Sequence, residues 1–495
     1  MKRSPIQALK NPSRRDLLKM AGGCAALTNT SLLSTLMNLS ATNQAVAANQ
    51  DATPFNDYKA LVCVFLWGGN DSYNMLTPME SDQRTDYLAA RGGVYAPNNG
   101  ALGLDAATLH TITDSETNFD YGLHPSSGSL QQLYLQNKLT CLCNVGSLVR
   151  PTSRQQYNQG SDLPLGLFSH ADLQQHWMTS VPQTRSQVTG WGGRMADLLS
   201  SRANSNTKVS MNISLGSVNM LQTGGQVVPY VVQDSGATEV WMYGNANWNR
   251  SRIFTTLTDD ALTMAYGNLV EKTFAEANSN AIEAAVDFNQ QVNDEFDARY
   301  PTESEQTEFN NLFPNTNFGR QMRMVAKSIA AQSRLQQSRQ TFFVGLGGWD
   351  NHGELINTHA GLMQTLADGL NGFQTALGDL GKDDEVVTFT ASDFARTLNS
   401  NGRGSDHAWG GNQIIMGNPV QGGRLYGEYP TSLAPGNELD LGRGRLLPTH
   451  SVDQFAAELA LWYGVPNDQC LEDMLPNIRN FFAADAVGSP FGMLG

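Results

Sequence analysis

The stretch from Val386 to Gly417, VVTFTASDFARTLNSNGRGSDHAWGGNQIIMG, limits what this chain can become. Two apolar, β-branched runs, 386–390 and 413–416, are short and bounded by turn residues, the pattern of strands buried on both faces. Between them lies a polar, glycine-rich loop with Asp393, Asp406 and His407. In an open α/β sheet, ligands occupy the crevice beyond the carboxyl ends of the strands. Asp393 follows one run and His407 precedes the next, where a metal or an anionic substrate would be held.

Further runs of the same kind predict a sheet. Residues 59–67, KALVCVFLW, lead into Gly68-Gly69-Asn70-Asp71-Ser72, and glycines there permit a sharp exit that leaves Asp71 at the strand's end. Residues 138–145 and 341–346 are two more, the second ending in Gly347-Gly348-Trp349-Asp350-Asn351-His352. Helical spacing over 123–137, between two such runs, is the βαβ sign of a largely parallel sheet. Alternation at 209–215 and 226–232 predicts strands, and the apolar stripe over 355–380 predicts a helix, as does 452–462. Residues 80–120 are polar and turn-rich, the reading of a surface excursion, and about 240–338 is a helical insertion. The expected fold is α/β: a mostly parallel central sheet flanked by helices.

Ser13-Arg14-Arg15-Asp16-Leu17-Leu18-Lys19 resembles the bacterial twin-arginine export motif, followed by a mildly apolar segment and Ala45-Val46-Ala47. This predicts a signal peptide over 1–47, one α/β domain over 48–495, and a periplasmic or extracellular protein delivered folded by the twin-arginine machinery. No later run is long and apolar enough to span a bilayer, so no transmembrane anchor is expected after cleavage. The first 47 residues carry six basic side chains against one acid, so their removal takes the formal charge from −14 to −19. That balance argues against nucleic acid as a partner, while a local metal can still draw in a small anionic ester. Cys63, Cys141, Cys143 and Cys470 show no paired metal spacing.

Asp71, Asp350, His352, Asp393, Asp406 and His407 are the candidate metal ligands, because they gather at strand ends. Carboxylates with imidazoles suit one or two divalent ions, Zn, Mn, Mg or Ca. Ser169 begins a helix, where free N–H groups favour an anion; His170 beside it is a candidate ligand or proton-transfer group. Arg396 and Arg403 could pair with an anionic ester group.

The order Asp71, Ser169, Asp350 with His352, Asp393, His407 resembles the alkaline phosphatase-like superfamily, which includes phosphatases and sulfatases. More closely, LWGGNDSYN, GLHP, LFSH, GWGGRMAD, GGWDNHG, SDFART, GSDHAWGG, GGRLYG and SVDQFAAELALWYGV resemble the bacterial secreted family called domain of unknown function 1501. The resemblance implies an alkaline phosphatase-like fold and a metal-dependent hydrolase of phosphate or sulfate esters, with Ser169 at the place of its nucleophile. Phe394 departs from it, standing where the superfamily usually has a metal-binding His. The alternative it raises is a non-catalytic envelope or secretion-associated protein that keeps the fold and perhaps one structural metal.

Overall fold

The computed structural model describes residues 53–495 apart from 207, 241–242, 245–246, 265 and 267–268. The signal peptide expected over 1–47 lies outside the described residues. Among those described, twelve strands form two sheets: β1 (Lys59–Trp67), β2 (Leu76–Pro78), β3 (His110–Thr113), β4 (Asp120–Leu123), β5 (Leu139–Gly146), β6 (Asn212–Ser214), β7 (Tyr230–Val231), β8 (Arg339–Gly347), β9 (Val386–Ser392), β10 (Gly411–Met416), β11 (Leu425–Gly427) and β12 (His450–Ser451). The main sheet runs β11-β5-β10-β9-β1-β8-β6-β7, with β12 also on β5; β2, β4 and β3 make a small antiparallel sheet.

The main sheet is mixed and mostly parallel. β1 pairs in parallel with both β8 and β9, while β10 runs antiparallel between β9 and β5. A parallel return from β9 would need a crossover, usually a helix. The segment between β9 and β10 has none and folds back as an extension of their hairpin: Ala395 N bonds Trp409 O, Ala408 N bonds Ala395 O, and Thr397 N bonds Asp406 O. Antiparallel β10 therefore starts at the edge where β1, β8 and β9 end. This places His407 beside Asp393; in an all-parallel sheet, a residue ahead of a strand would lie at the opposite edge.

Both faces of the sheet are covered, and side chains alternate along β1 accordingly. Ala60, Val62, Val64 and Leu66 enter one core with helices Gly128–Leu135, Asn317–Ala330 and Leu355–Leu380. Leu61, Cys63 and Phe65 enter the other with helices His170–Thr179, Trp191–Ala203 and Val452–Tyr463. Burial on both faces is why β1 reads as an unbroken apolar run. The four described cysteines are free. Among the described residues no helix is long and apolar enough to cross a membrane.

Three expectations change. The helix expected over 123–137 is shorter, Gly128–Leu135, because Leu123 ends β4, paired with Leu76 and His110. The strands expected over 209–215 and 226–232 shrink to β6 and β7. The excursion at 80–120 is not merely surface: helix Ser81–Arg91 buries Tyr87 and Arg91 completely, and Arg91 Nη2 reaches Asp71 Oδ1 at 2.5 Å. Of the insertion about 240–338, helix Asn317–Ala330 lies on β8 and on Leu355–Leu380, forming part of the covering layer.

Two acids in helix Val452–Tyr463 are buried. Glu458 accepts hydrogen bonds from the backbone N–H groups of Phe491 (2.9 Å), Gly492 (3.3 Å), Met493 (2.8 Å) and Leu494 (3.2 Å). Asp453 is pushed up to about 7 by burial, against the pull of Ser180 and Arg194. Its folded value lies above the ordinary 3.8, so the unfolded chain releases this proton first. The contribution of Asp453 to stability is present below pH ~4 and is lost as pH rises towards ~7. Asp453→Asn is expected to raise stability at pH 8 by about 1–3 kcal/mol and to give no gain at pH 4. Denaturant midpoints at the two pH values check this; an equal effect at both refutes it.

Candidate metal centre

β1 and β8 end side by side, Trp67 opposite Gly347, and β9 ends next to β1. Gly68 and Gly69 turn the chain away from β1 at φ +117° and +88°, where side chains are strained. Their loop is also pressed between its neighbours: a Cβ on Gly68 would meet Asp350 N at 2.4 Å, and one on Gly69 the Phe394 ring at 2.4 Å. This packing sets Asp350, beyond β8, and Phe394, beyond β9, on either side of the β1 exit.

Three histidines meet Asp350 there. His170 opens helix His170–Thr179, whose N-cap is Ser169 with its hydroxyl accepting from Asp172 N. His170 Nε2 lies 3.4 Å from Asp350 Oδ2 and has no hydrogen-bond partner. His352 Nε2 lies 3.0 Å and His407 Nε2 3.4 Å from Asp350 Oδ1, and the two nitrogens are 3.0 Å apart. One ligand atom each from His170, Asp350 and His407 falls within 4.8 Å of the others.

The far nitrogen of each ring is engaged by an oxygen. His170 Nδ1 donates to Asp393 Oδ2 at 2.6 Å, His407 Nδ1 to Phe168 O at 2.7 Å, and His352 Nδ1 to Asp406 Oδ1 at 3.2 Å. All three acceptors lack protons, so every Nδ1 carries its own. In the neutral rings, every Nε2 then presents a lone pair towards Asp350. Two lone pairs 3.0 Å apart beside a carboxylate repel unless a cation lies among them. Tetrahedral ligands at zinc distances are separated by about 3.3–3.5 Å, close to the spacings here. Imidazoles held from behind by carboxylate or carbonyl oxygen are the usual arrangement of metal-ligating histidines.

The supporting residues are themselves fixed. Asp393 is fully buried and also accepts from Gly68 N (3.2 Å) and Gln174 Nε2 (2.8 Å). Arg396, fully buried, donates to Asp350 Oδ1 at 2.6 Å, Gly68 O at 3.2 Å and Ser405 O. Burial works against the charge on Asp350, but the Arg396 guanidinium holds its carboxyl below the usual range. Asp406 is likewise brought down to about 2, against burial, by Asn401, His352 and Arg443. Burial lowers His407, which keeps it neutral. Phe168 takes a left-handed φ of 72°, uncommon for an aromatic residue, next to the carbonyl that receives His407.

Of the candidate ligands, the structure brings Asp350, His352 and His407 together, with His170, expected as a ligand or a proton-transfer group. Asp393 and Asp406 stand one layer behind, on His170 and His352. Asp71 is engaged by Arg91 instead. Ser169 caps its helix between two residues that both touch the centre. Arg396 is buried and committed to Asp350, while Arg403 is largely exposed and pairs with Glu354 on the surface. Phe394 lies against the centre, its ring 4.8 Å from that of His170 and 4.5 Å from that of His407. Sequence reasoning missed Gln174, Phe168, Arg91 and Arg443. Gln174 had a readable signal, one helical turn after His170 and so on the same face. A backbone carbonyl such as that of Phe168 leaves no mark in a sequence.

The family profile described as "Protein of unknown function (DUF1501)" matches residues 58–465. No curated protein matches the chain. Two solved structures, of Ps i-CgsB alone and in complex with k-i-k-neocarrahexaose, align with 11% identity over 88% of this chain and 78% of theirs, at a TM-score of 0.33. A likeness that loose carries neither fold nor activity across.

Proposed function

Since the chain belongs to the DUF1501 family, whose description assigns no activity, we propose its function from the site itself: a metal-dependent hydrolase of phosphate or sulfate esters, with an alkaline phosphatase-like arrangement of strands and loops. The observation that carries it is the convergence of three imidazole Nε2 atoms on Asp350, with every Nδ1 tied behind.

His170, His352, His407 and Asp350 would hold the ion. Three nitrogens and one oxygen favour a zinc-like ion over magnesium or calcium, which prefer all-oxygen ligands. Such an ion supplies positive charge to the oxygens of an anionic ester and polarises the bond to be broken. Asp393 and Gln174 orient His170, Phe168 O orients His407, and Asp406 orients His352. Asp350, Asp393 and Asp406 bring three negative charges and Arg396 and Arg443 return two, so a divalent ion makes the site net positive and suited to an anion. Ser169 is the proposed nucleophile, next to Phe168 and His170 at a helix start where partial positive charge favours an anion. The twin-arginine-like segment supports action in the periplasm or outside the cell.

The second reading is a non-catalytic envelope or secretion-associated protein that keeps the fold, with or without one structural ion. Phe394 favours it, because its ring covers one side of the centre. Metal analysis of the purified protein, followed by assays with aryl phosphate and aryl sulfate esters, separates the two. Metal with turnover that Ser169→Ala removes supports the first reading. Metal without turnover supports the second, and no metal refutes the first. Asp393→Asn is expected to weaken metal affinity by about 10–100-fold, the usual cost of losing an outer hydrogen bond to a ligating imidazole. Competition with a chelating dye measures it, and unchanged affinity would show that Asp393 plays no orienting part.

A further inference from the structure

A second acidic position faces the same edge of the sheet. Asp71 follows β1 by four residues and is completely buried, with Oδ2 lacking any hydrogen-bond partner. It looks like a vacant ligand for another ion. Its surroundings argue otherwise.

Arg91, from the helix Ser81–Arg91, is fully buried with Nη2 2.5 Å from Asp71 Oδ1. The same guanidinium donates to Thr397 O (3.3 Å) and Leu398 O (3.5 Å), in the hairpin that carries Asp406 and His407, and lies over the Tyr87 ring. It is therefore fixed by three elements. The neighbouring groups are neutral: burial pushes His124 and His359 down to about 3. His359 Nε2 donates to Asn70 Oδ1 at 3.0 Å, and His124 Nδ1 accepts from Ser126 N at 3.0 Å. One carboxylate and one guanidinium among neutral imidazoles balance. A dication on Asp71 Oδ2 would add two uncompensated charges in a buried compartment, next to a guanidinium held on several sides, and burying such charge is costly.

We infer that Arg91 serves as the permanent cation of Asp71, so that the protein takes a single imidazole-preferring dication, held by His170, His352, His407 and Asp350, and no second ion at Asp71. Two cationic positions thus exist at this edge, one exchangeable and one covalently part of the chain. The inference rests on the proposed reading of the centre, and its test separates the two.

The whole protein, stripped with a chelator and checked for retained fold by circular dichroism, is titrated with Co²⁺ while visible absorption is followed. Bound metal is then counted by elemental analysis. The expected result is an absorption band that saturates at one equivalent, with one ion per chain after desalting and no displacement by millimolar Mg²⁺ or Ca²⁺. Asp71→Asn should still bind one ion with affinity changed less than threefold. Two ions per chain, or loss of an ion or of tenfold or more in affinity in Asp71→Asn, would overturn the inference while leaving a metal protein. No ion at all would instead remove the proposed centre and this inference with it. If Asp71→Asn does not fold, the count on the natural chain decides alone.

Discussion

His407→Ala is expected to lose metal affinity by roughly 10³-fold or more, exceeding the 10–100-fold expected for an outer group, and to lose ester hydrolysis with it. The reason is geometric. His407 Nε2 is 3.4 Å from Asp350 and 3.0 Å from His352, so its removal opens one side of the ligand set. Phe168 O also loses its partner, and the loop ahead of the His170 helix loses an anchor. His110→Ala is the matched control: that ring bonds Pro125 O, away from the centre, and metal content should stay the same. Elemental analysis and calorimetric titration measure both. If His407→Ala holds its ion as tightly as the natural chain, the centre is misassigned.

The second large effect concerns stability. Arg91→Met should destabilise the fold by about 3–5 kcal/mol, because it strands the Asp71 charge in the interior. It also takes donors from Thr397 O and Leu398 O. The double variant Arg91→Met/Asp71→Asn should recover most of the loss, since removing a whole buried pair is far cheaper than removing half of one. Urea denaturation of the single and double variants gives the coupling directly. A single-variant loss below about 1 kcal/mol would mean the pair is solvated, contrary to its complete burial.

Much of the framework was legible because burial on both faces leaves a plain signature. β1, β8 and β9 read as unbroken apolar runs, and helix Leu355–Leu380 reads from its stripe to its end at Gly381, which takes a left-handed φ of 64°. The antiparallel direction of β10 was not legible. It depends on whether 393–410 folds as a crossover or a hairpin, and that is settled by pairings such as Ala395 with Trp409. The candidate side chains were legible as a set but not in their layers. Asp393 and Asp350 follow their strands in similar polar settings, yet one lies behind His170 and the other in front of it. Only the orientation of the ring, with Nδ1 inward and Nε2 outward, distinguishes them. Arg91 left no trace because a charged residue in a polar, turn-rich segment reads as solvated unless its partner is known.

The position of β1 has a consequence for biosynthesis. It is the first strand among the described residues, yet its neighbours begin at Arg339 and Val386, about 280 and 330 residues later. Glu458 in turn waits for Phe491–Leu494 to saturate its carboxylate. Until both neighbours have been made, β1 is an apolar strand with its two edges unpaired. Pairing across so long a separation is slow to form and leaves the strand open to aggregation in the meantime.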